Sequence, residues 1–364
     1  MVSRRAVVAL ALSVACGRRR MAGYQGYAFV ANQEGQAIAA VDLEAMAVVR
    51  HIPLDGSPAQ VIAAAKRPSV FALTPDTGSI HEIEVDRLTA RRKATVASSA
   101  IAMHLDAAER ELWVLARDPR AVIRVSLDSF AATGRIPLAE DPVDFALASE
   151  GGAAAVSGGG LVRFLDLGAM RAGAPLASGD FGSVRFRKDG KMMIAADLGA
   201  RLLWLWDAPA ERLMTKLPLA ARPDHLCFSQ DGGQLFITGE GLDGVVIVFP
   251  YHTPEVDQTV LAGHGPEAMA ASQALLFIAS PQSGDVSVLS IDDRKVISVV
   301  RVGSDPGFVA VTPDDRYALV LNRKSGDMAV LRVNGVQTRG YPAPVLTVIP
   351  VGSRPVSAAI RAVS

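Results

Sequence analysis

The chain has 364 residues, half of them hydrophobic, with 37 basic and 37 acidic side chains and therefore no net charge. The balanced charge, without a basic stripe, argues against a nucleic-acid partner. No apolar stretch reaches the roughly 20 residues that a membrane-spanning helix needs. We expect no metal and no cofactor, because the chain has no Cys/His group with zinc-ligand spacing, no CxxCH haem-attachment motif and no other cofactor motif.

The N-terminus has the features of an export signal. Residues 1–5 are basic, and residues 6–15 form a ten-residue apolar segment, which fits a signal peptide and is too short for a transmembrane helix. Residues 12–16 resemble a bacterial lipobox, with Ala15 before Cys16 and with Ser13 where an aliphatic residue is usual. We expect residues 1–21 to be a leader and Cys16 to be lipidated. The protein would then be exported, either membrane-anchored through Cys16 alone or, after ordinary signal-peptidase cleavage, periplasmic.

From about residue 22 the chain repeats a unit of about 42 residues. The clearest copy, residues 306–333, has three short apolar runs separated by turn sequences at residues 312–315 and 325–327. In these turns Pro presets φ and Asp accepts hydrogen bonds from its own backbone. Short strands with turns at this spacing indicate an antiparallel all-β fold. A period of 40–45 residues with four strands is typical of a propeller blade.

The repeat predicts a closed ring of eight blades. Residues 27–57 supply only three strands of a blade, since residues 27–32 align without a gap with residues 317–322 of the clearest copy. The C-terminal residues 356–360 match the missing first strand, so pairing of the two chain ends would leave no open edge. We predict that residues 22–364 form a single propeller domain, with seven blades as the alternative. The seven complete periods start at Pro58, Ala100, Pro142, Phe181, Pro223, Pro266 and Pro306.

These repeats resemble those of the bacterial YVTN-repeat β-propellers. The matching pieces are a strand that ends in Asn32 or Asn322, the Ser-Gly-Asp turn, and an aliphatic-Asp pair after the third strand, as at Asp42 and Asp292. The resemblance covers roughly residues 22–363 and implies a WD40-like, exported propeller. It implies little about activity, because propellers carry many functions. Similarity to seven-bladed bacterial lactonases suggests hydrolysis in the central channel as an alternative function.

The first strand of each blade is innermost in a propeller, and alternate residues of a strand face opposite sides. One side of these strands carries apolar pairs, such as Met103/Leu105 and Val184/Phe186, which we assign to the core between blades. Isolated charges on the other side would be costly in a dry interior, so that side must be wet, paired or liganded. Its polar members fall on four consecutive blades: His104, Asp106, Asp144, Arg185, Arg187 and His225.

Two interpretations of these six polar positions stay open. They form either a solvated channel with Asp–Arg pairs, or a site for a small anion in which Arg185 and Arg187 are the main charges, since Arg binds carboxylate and phosphate through two hydrogen bonds. We predict a monomeric, non-catalytic scaffold for a small anion or a protein partner. The alternative is a lactonase-type hydrolase with His104 and His225 as acid–base groups.

Overall fold

The computed structural model describes residues 23–149, 152–251, 253–336 and 344–363, and these are almost entirely β-structure. Within them, eight antiparallel sheets form, seven with four strands and one with five. Each sheet is one blade. The prediction of an eight-bladed β-propeller is therefore confirmed, and the seven-bladed alternative is wrong.

The strands are numbered along the chain. Blade 1 contains β1 (Gly26–Asn32), β2 (Ala37–Asp42) and β3 (Ala47–Pro53), and blade 2 contains β4 (Gln60–Ala63), β5 (Ser69–Thr74), β6 (Ser79–Glu84) and β7 (Thr89–Thr95), with a 3₁₀ turn at Pro75–Thr77. Blade 3 contains β8 (Ser99–Leu105), β9 (Glu111–Asp118), β10 (Ala121–Ser126) and β11 (Ala131–Pro137). Blade 4 contains β12 (Pro142–Leu147), β13 (Ala154–Gly158), β14 (Leu161–Asp166), β15 (Arg171–Ala172) and β16 (Ala177–Ser178).

The second half of the ring follows the same plan. Blade 5 contains β17 (Phe181–Phe186), β18 (Met192–Asp197), β19 (Leu202–Asp207) and β20 (Arg212–Pro218), and blade 6 contains β21 (His225–Phe228), β22 (Leu235–Thr238), β23 (Gly244–Phe249) and β24 (Glu255–Leu261). Blade 7 contains β25 (Met269–Ala271), β26 (Leu275–Ser280), β27 (Asp285–Ser290) and β28 (Lys295–Arg301). Blade 8 contains β29 (Pro306–Val311), β30 (Tyr317–Asn322), β31 (Asp327–Arg332), the short helix α1 (Val333–Val336) and β32 (Val345–Pro350). The last strand, β33 (Pro355–Ala362), belongs to blade 1.

The two ends of the chain meet in blade 1. β33 pairs antiparallel with β1, with Ala28 opposite Ile360 and Val30 opposite Ala358. β33 also contacts β4 and β29, the inner strands of the two neighbouring blades. The C-terminus therefore supplies the inner strand that blade 1 lacks, as the repeat predicted, and the pairing closes the ring.

The core is divided among the gaps between blades. The described residues form eight apolar clusters, and each cluster is shared by two neighbouring blades. The apolar side of the inner strands contributes as expected, with Met103 and Leu105 between blades 2 and 3 and with Val184 and Phe186 between blades 4 and 5. Because each blade packs mainly on its two neighbours, a chain too large for one compact core can still bury its apolar surface.

The Asn of the repeat motif stabilises the connection between blades. Asn32 Nδ2 donates to the Val351 carbonyl at 2.7 Å, and Asn322 Nδ2 donates to the Val302 carbonyl at 3.3 Å. Each carbonyl lies just after the outer strand of the preceding blade. At Gly303, on the same connection, a Cβ would lie only 2.4 Å from Asn322 Nδ2, so glycine is required there for this contact. The motif therefore has a structural role at the blade junctions.

Candidate ligand site in the central channel

The inner strands follow one another around the ring, and each contacts the next: β33, β4, β8, β12, β17, β21, β25 and β29. They enclose the central channel. An inner strand is the edge of its sheet, so some of its backbone groups need partners from outside the sheet. Side chains of the preceding blade accept from three inner-strand N–H groups: Ser357 Oγ accepts from Val61 N at 3.2 Å, Gln60 Oε1 accepts from Met103 N at 2.8 Å, and Asp144 Oδ2 accepts from Val184 N at 3.0 Å.

Asp144 differs from the other two bridging residues because it also binds a charged side chain, that of Arg185. Its Oδ2 accepts a hydrogen bond from Arg185 Nη1 at 2.5 Å, and the same nitrogen donates to the Val184 carbonyl at 2.6 Å. Arg185 Nε and Nη2 and Asp144 Oδ1 make no hydrogen bond with the described residues, and none of the three is buried from solvent. The Arg185 side chain is 41% exposed. The ion pair is therefore neutral overall and presents unused donors and an unused acceptor to the channel.

His104 on β8 lies beside this pair. Its ring packs edge-on against Phe145, with ring centroids 5.3 Å apart. Burial lowers the pKa of His104 to about 4; Asp144 opposes this effect and Arg185 reinforces it. At neutral pH the imidazole is uncharged, so one of its nitrogens is an N–H donor and the other is an acceptor.

Strand β21 adds His225 and Cys227 to the same wall. His225 is open to the channel but surrounded by protein, and this burial lowers its pKa, with Glu267 the largest opposing charge. Burial raises the pKa of the Cys227 thiol to about 11, so the thiol stays protonated near neutral pH. Arg185 lowers the pKa of both groups, as it does for His104. We call His104, Asp144, Arg185, His225 and Cys227 the polar wall.

Two of the predicted site residues lie outside the polar wall. Asp106 Oδ1 accepts hydrogen bonds from the backbone of the following hairpin turn, at Arg110 N and Glu111 N. Arg187 donates through Nε and Nη2 to Asp189 and through Nη1 to a backbone carbonyl at 2.7 Å. Strands β8 and β17 end one residue before Asp106 and Arg187. The alternation that assigned both side chains to the channel therefore stops just before them.

An ion cluster next to His225 was not predicted. Arg323 Nη2 donates to Glu267 Oε2 at 3.1 Å and to Asp305 Oδ1 at 2.7 Å, and Glu267 and Arg323 both affect the pKa of His225. Arg323 directly follows the motif Asn322, so the motif position is the one sequence signal that could have indicated it. The bridging role of Gln60 and Ser357 was missed as well, because the repeat aligns these positions but does not reveal the hydrogen bonds that their side chains make.

Neither a metal centre nor a membrane span stands out in the described part of the chain. No group of three or more His, Cys, Asp or Glu side chains there could hold a metal ion, and no helix there is long and apolar enough to cross a membrane. Cys16 and the rest of the predicted leader lie outside the described residues.

Comparison with known proteins identifies the fold and no family. No family model matches the chain, and no curated protein matches it. Dihydro-heme d1 dehydrogenase NirN in complex with DHE is similar in structure, with a TM-score of 0.76 at 12% identity over 90% of this chain and 74% of that one. A functionally unknown protein from Desulfotomaculum acetoxidans DSM 771 has a TM-score of 0.62 at 12% identity, over 92% of this chain and 98% of that one.

Hydrazine synthase from Kuenenia stuttgartiensis is also similar, with a TM-score of 0.60 at 13% identity over 85% of this chain and 96% of that one. At such identities the likeness shows the fold alone. The chain is a β-propeller, and its assignment to the YVTN-repeat family stays a prediction.

Proposed function

We propose that this protein is a non-catalytic scaffold that binds a small ligand at the polar wall of its central channel. One observation carries the proposal: the half-exposed Arg185 is fixed through Nη1 alone, and its Nε and Nη2 have no protein acceptor among the described residues. Nε and Nη2 form the fork that binds a carboxylate or a similar oxygen pair. Charge-assisted hydrogen bonds of this kind contribute roughly 1.5–3 kcal/mol each.

The other interpretation of the sequence, a solvated channel with Asp–Arg pairs, competes with this proposal. The pair of Asp144 and Arg185 is compatible with both. The proposal is favoured because the pair leaves its free groups on an inner surface, beside the uncharged His104, rather than on the outer rim where water screens charge. Ligand binding is also compatible with the fold, since the similar protein NirN was solved in complex with DHE.

Calorimetric titration tests the proposal. The wild-type protein is titrated with a panel of carboxylates, phosphates and lactones, and we expect at least one class to bind. Arg185→Ala should weaken that binding by at least about tenfold, because each lost charged hydrogen bond is worth more than 1.4 kcal/mol. Ser357→Ala, which removes the bridge from blade 1 to Val61 away from the polar wall, is the control and should bind as the wild type does. Absence of binding to the whole panel, or equal binding by Arg185→Ala, would overturn the proposal.

Hydrolysis of a lactone is the second candidate function. It is favoured by His104 and His225, whose pKa values are lowered by burial, so that both imidazoles are neutral and able to accept a proton near pH 7. Arg185 would stabilise the developing negative charge. Incubation of the protein with a lactone panel, followed by acid release, tests this function. Hydrolysis that is lost in both His104→Gln and His225→Gln would replace the binding proposal.

We also propose that the protein is exported and anchored to a membrane through a lipid on Cys16. The support is the basic segment, the ten-residue apolar segment and the lipobox-like residues before Cys16. Cys16→Ser should release the protein from the membrane fraction of the native host. An intact mass that begins at an unprocessed Met1 would contradict export.

A further inference from the structure

The surroundings of Arg185 carry no net positive charge, and the cluster beside His225 has two carboxylates for its one arginine. Asp144 neutralises Arg185, while His104 and His225 are uncharged near neutral pH because burial lowers their pKa values. The next arginine along the chain, Arg187, is neutralised by Asp189. A purely anionic ligand would therefore add a negative charge beside the free oxygen of Asp144, and close like charges repel.

The free groups of the wall form a fixed pattern of donors and acceptors. Arg185 Nε and Nη2 are donors. Asp144 Oδ1 is an acceptor with no partner among the described residues, and it is accessible to solvent. One ring nitrogen of the neutral His104 imidazole is also an acceptor. A complementary ligand therefore carries a pair of acceptors and, beside it, a group with at least two donors.

One small molecule can reach both sides of this pattern. Asp144 Oδ2 and Arg185 Nη1 are 2.5 Å apart. The free Oδ1 and Nη2 are each only two bonds further along the same planar groups, so both lie within hydrogen-bond reach, about 3 Å, of one compact ligand. The His104 ring packs against Phe145, the residue that directly follows Asp144, so the ring lies beside the pair on the neighbouring strand.

From this pattern, and on the basis of the proposed function, we infer that the ligand is a free α-amino acid. Its carboxylate accepts from Nε and Nη2 of Arg185. Its ammonium group has three donors and binds Asp144 Oδ1 and the acceptor nitrogen of His104. An amino acid is a zwitterion, so it matches both charges of the pair and leaves the site neutral.

Related small molecules match the wall less well. A carboxylate without an amine leaves Asp144 Oδ1 and His104 without donors and brings a negative charge next to Asp144. An α-hydroxy acid has one donor for two acceptors and keeps the unbalanced charge. A phosphate has the same charge conflict, and an uncharged polyol does not use the positive charge of Arg185.

Titration of the full chain with the standard amino acids, one at a time, tests the inference. For an amino acid that binds, the matched analogues are the desamino acid, the α-hydroxy acid, the N-acetyl derivative and the amide. We expect each analogue to bind at least tenfold more weakly. Asp144→Asn keeps an oxygen for the Val184 amide but loses the charge, and it should reduce the preference of the site for the amino acid over the α-hydroxy acid by at least tenfold.

The outcomes separate the two proposals. If a desamino or α-hydroxy acid binds as tightly as the amino acid, or if a simple carboxylate, phosphate or lactone binds and no amino acid does, the inference is wrong and the proposed function stands. If none of these compounds binds, both are wrong. The comparison among analogues uses the wild-type protein, so it holds even where Asp144→Asn fails to fold.

Discussion

The two halves of the channel wall differ in chemistry, although the inner strands of the blades build both halves. Blades 3–6 carry the polar wall. Blades 7, 8 and 1 have alanine at the position that corresponds to Arg185, and we call Ala270, Ala310 and Ala359 the small-residue wall. At the position that corresponds to Asp144, blades 1 and 2 carry Ser357 and Gln60. All three of these side chains accept a hydrogen bond from the next inner strand.

This difference indicates how a position that bridges two blades can also become part of a binding site. Ser357 and Gln60 form bridges between blades and carry no charge. Asp144 forms the same bridge and in addition fixes Arg185 through its charge. Asp144 therefore keeps the hydrogen bond to the next blade and also holds the guanidinium group of Arg185, whose Nε and Nη2 stay free. An acidic side chain at the bridging position, together with an arginine on the next inner strand, therefore adds a charged group to a structural bridge.

The largest effect is expected where the ring closes, beside the small-residue wall. Deletion of residues 353–364 removes β33 and leaves β1 as an open edge, with the apolar side chains around Ala28 and Val30 exposed. We expect loss of cooperative thermal unfolding, or aggregation. Deletion of residues 363–364 alone is the control and should leave the melting temperature nearly unchanged. A chain without β33 that melts like the full protein would contradict closure by this strand.

The polar wall should make stability depend on pH. The pKa of His104 is about 4 in the folded protein and near 6.5 when unfolded, so below pH 6.5 the unfolded chain binds a proton that the folded one excludes. The free energy of unfolding should fall by about 3 kcal/mol as the pH falls from 6.5 to 4, from 1.36 kcal/mol per pKa unit. His225 and His81 act in the same direction, since their pKa values are also lowered.

The difference between wild type and His104→Gln isolates the contribution of His104. Urea unfolding of both proteins across this pH range measures it. Equal pH dependence in the two proteins would show that the His104 imidazole is not kept neutral by the wall.

The uncharged bridge formed by Gln60 should contribute to stability and not to ligand binding. Gln60 Nε2 also donates to the Met103 carbonyl at 3.0 Å, so Gln60→Ala leaves both backbone groups of Met103 without these partners. We expect a loss of about 1–3 kcal/mol in the free energy of unfolding. The exposed Gln282→Ala is the matched control and should stay within about 0.5 kcal/mol of the wild type. A Gln60→Ala protein as stable as the control would mean that these bridges do not hold the inner strands together.

The smallest effect is expected at Arg187. Its bonds to Asp189 and to the Pro250 carbonyl join the hairpin of blade 5 to a turn of blade 6. The side chain is 18% exposed, so Arg187→Ala should cost about 1 kcal/mol of stability. Lys188→Ala, at an exposed neighbouring position, serves as the control in the same urea titration. If the two variants are equally stable, the contacts of Arg187 contribute nothing.

The sequence by itself determined the architecture, because the architecture depends on a pattern that the chain repeats. The period of about 42 residues predicts the blades, the gapless alignment of the first and last copies predicts closure by β33, and alternation predicts the apolar side of β8 and β17. Each of these was confirmed, since many residues carry the same signal and no single contact decides it. The leader, Cys16 and the family assignment stay predictions.

Only the tertiary structure decided which polar side chains form a site. Alternation fails where a strand ends, so Asp106 and Arg187 belong to hairpin turns although they follow the pattern of β8 and β17. Arg185 keeps free donors because its one acidic partner, Asp144, lies on another blade and occupies a single nitrogen, whereas Arg187 has an acid two residues away that uses its fork. The pKa of His104 is likewise set by burial and by charges from two other strands. Such properties depend on contacts between blades, which no local pattern of the sequence encodes.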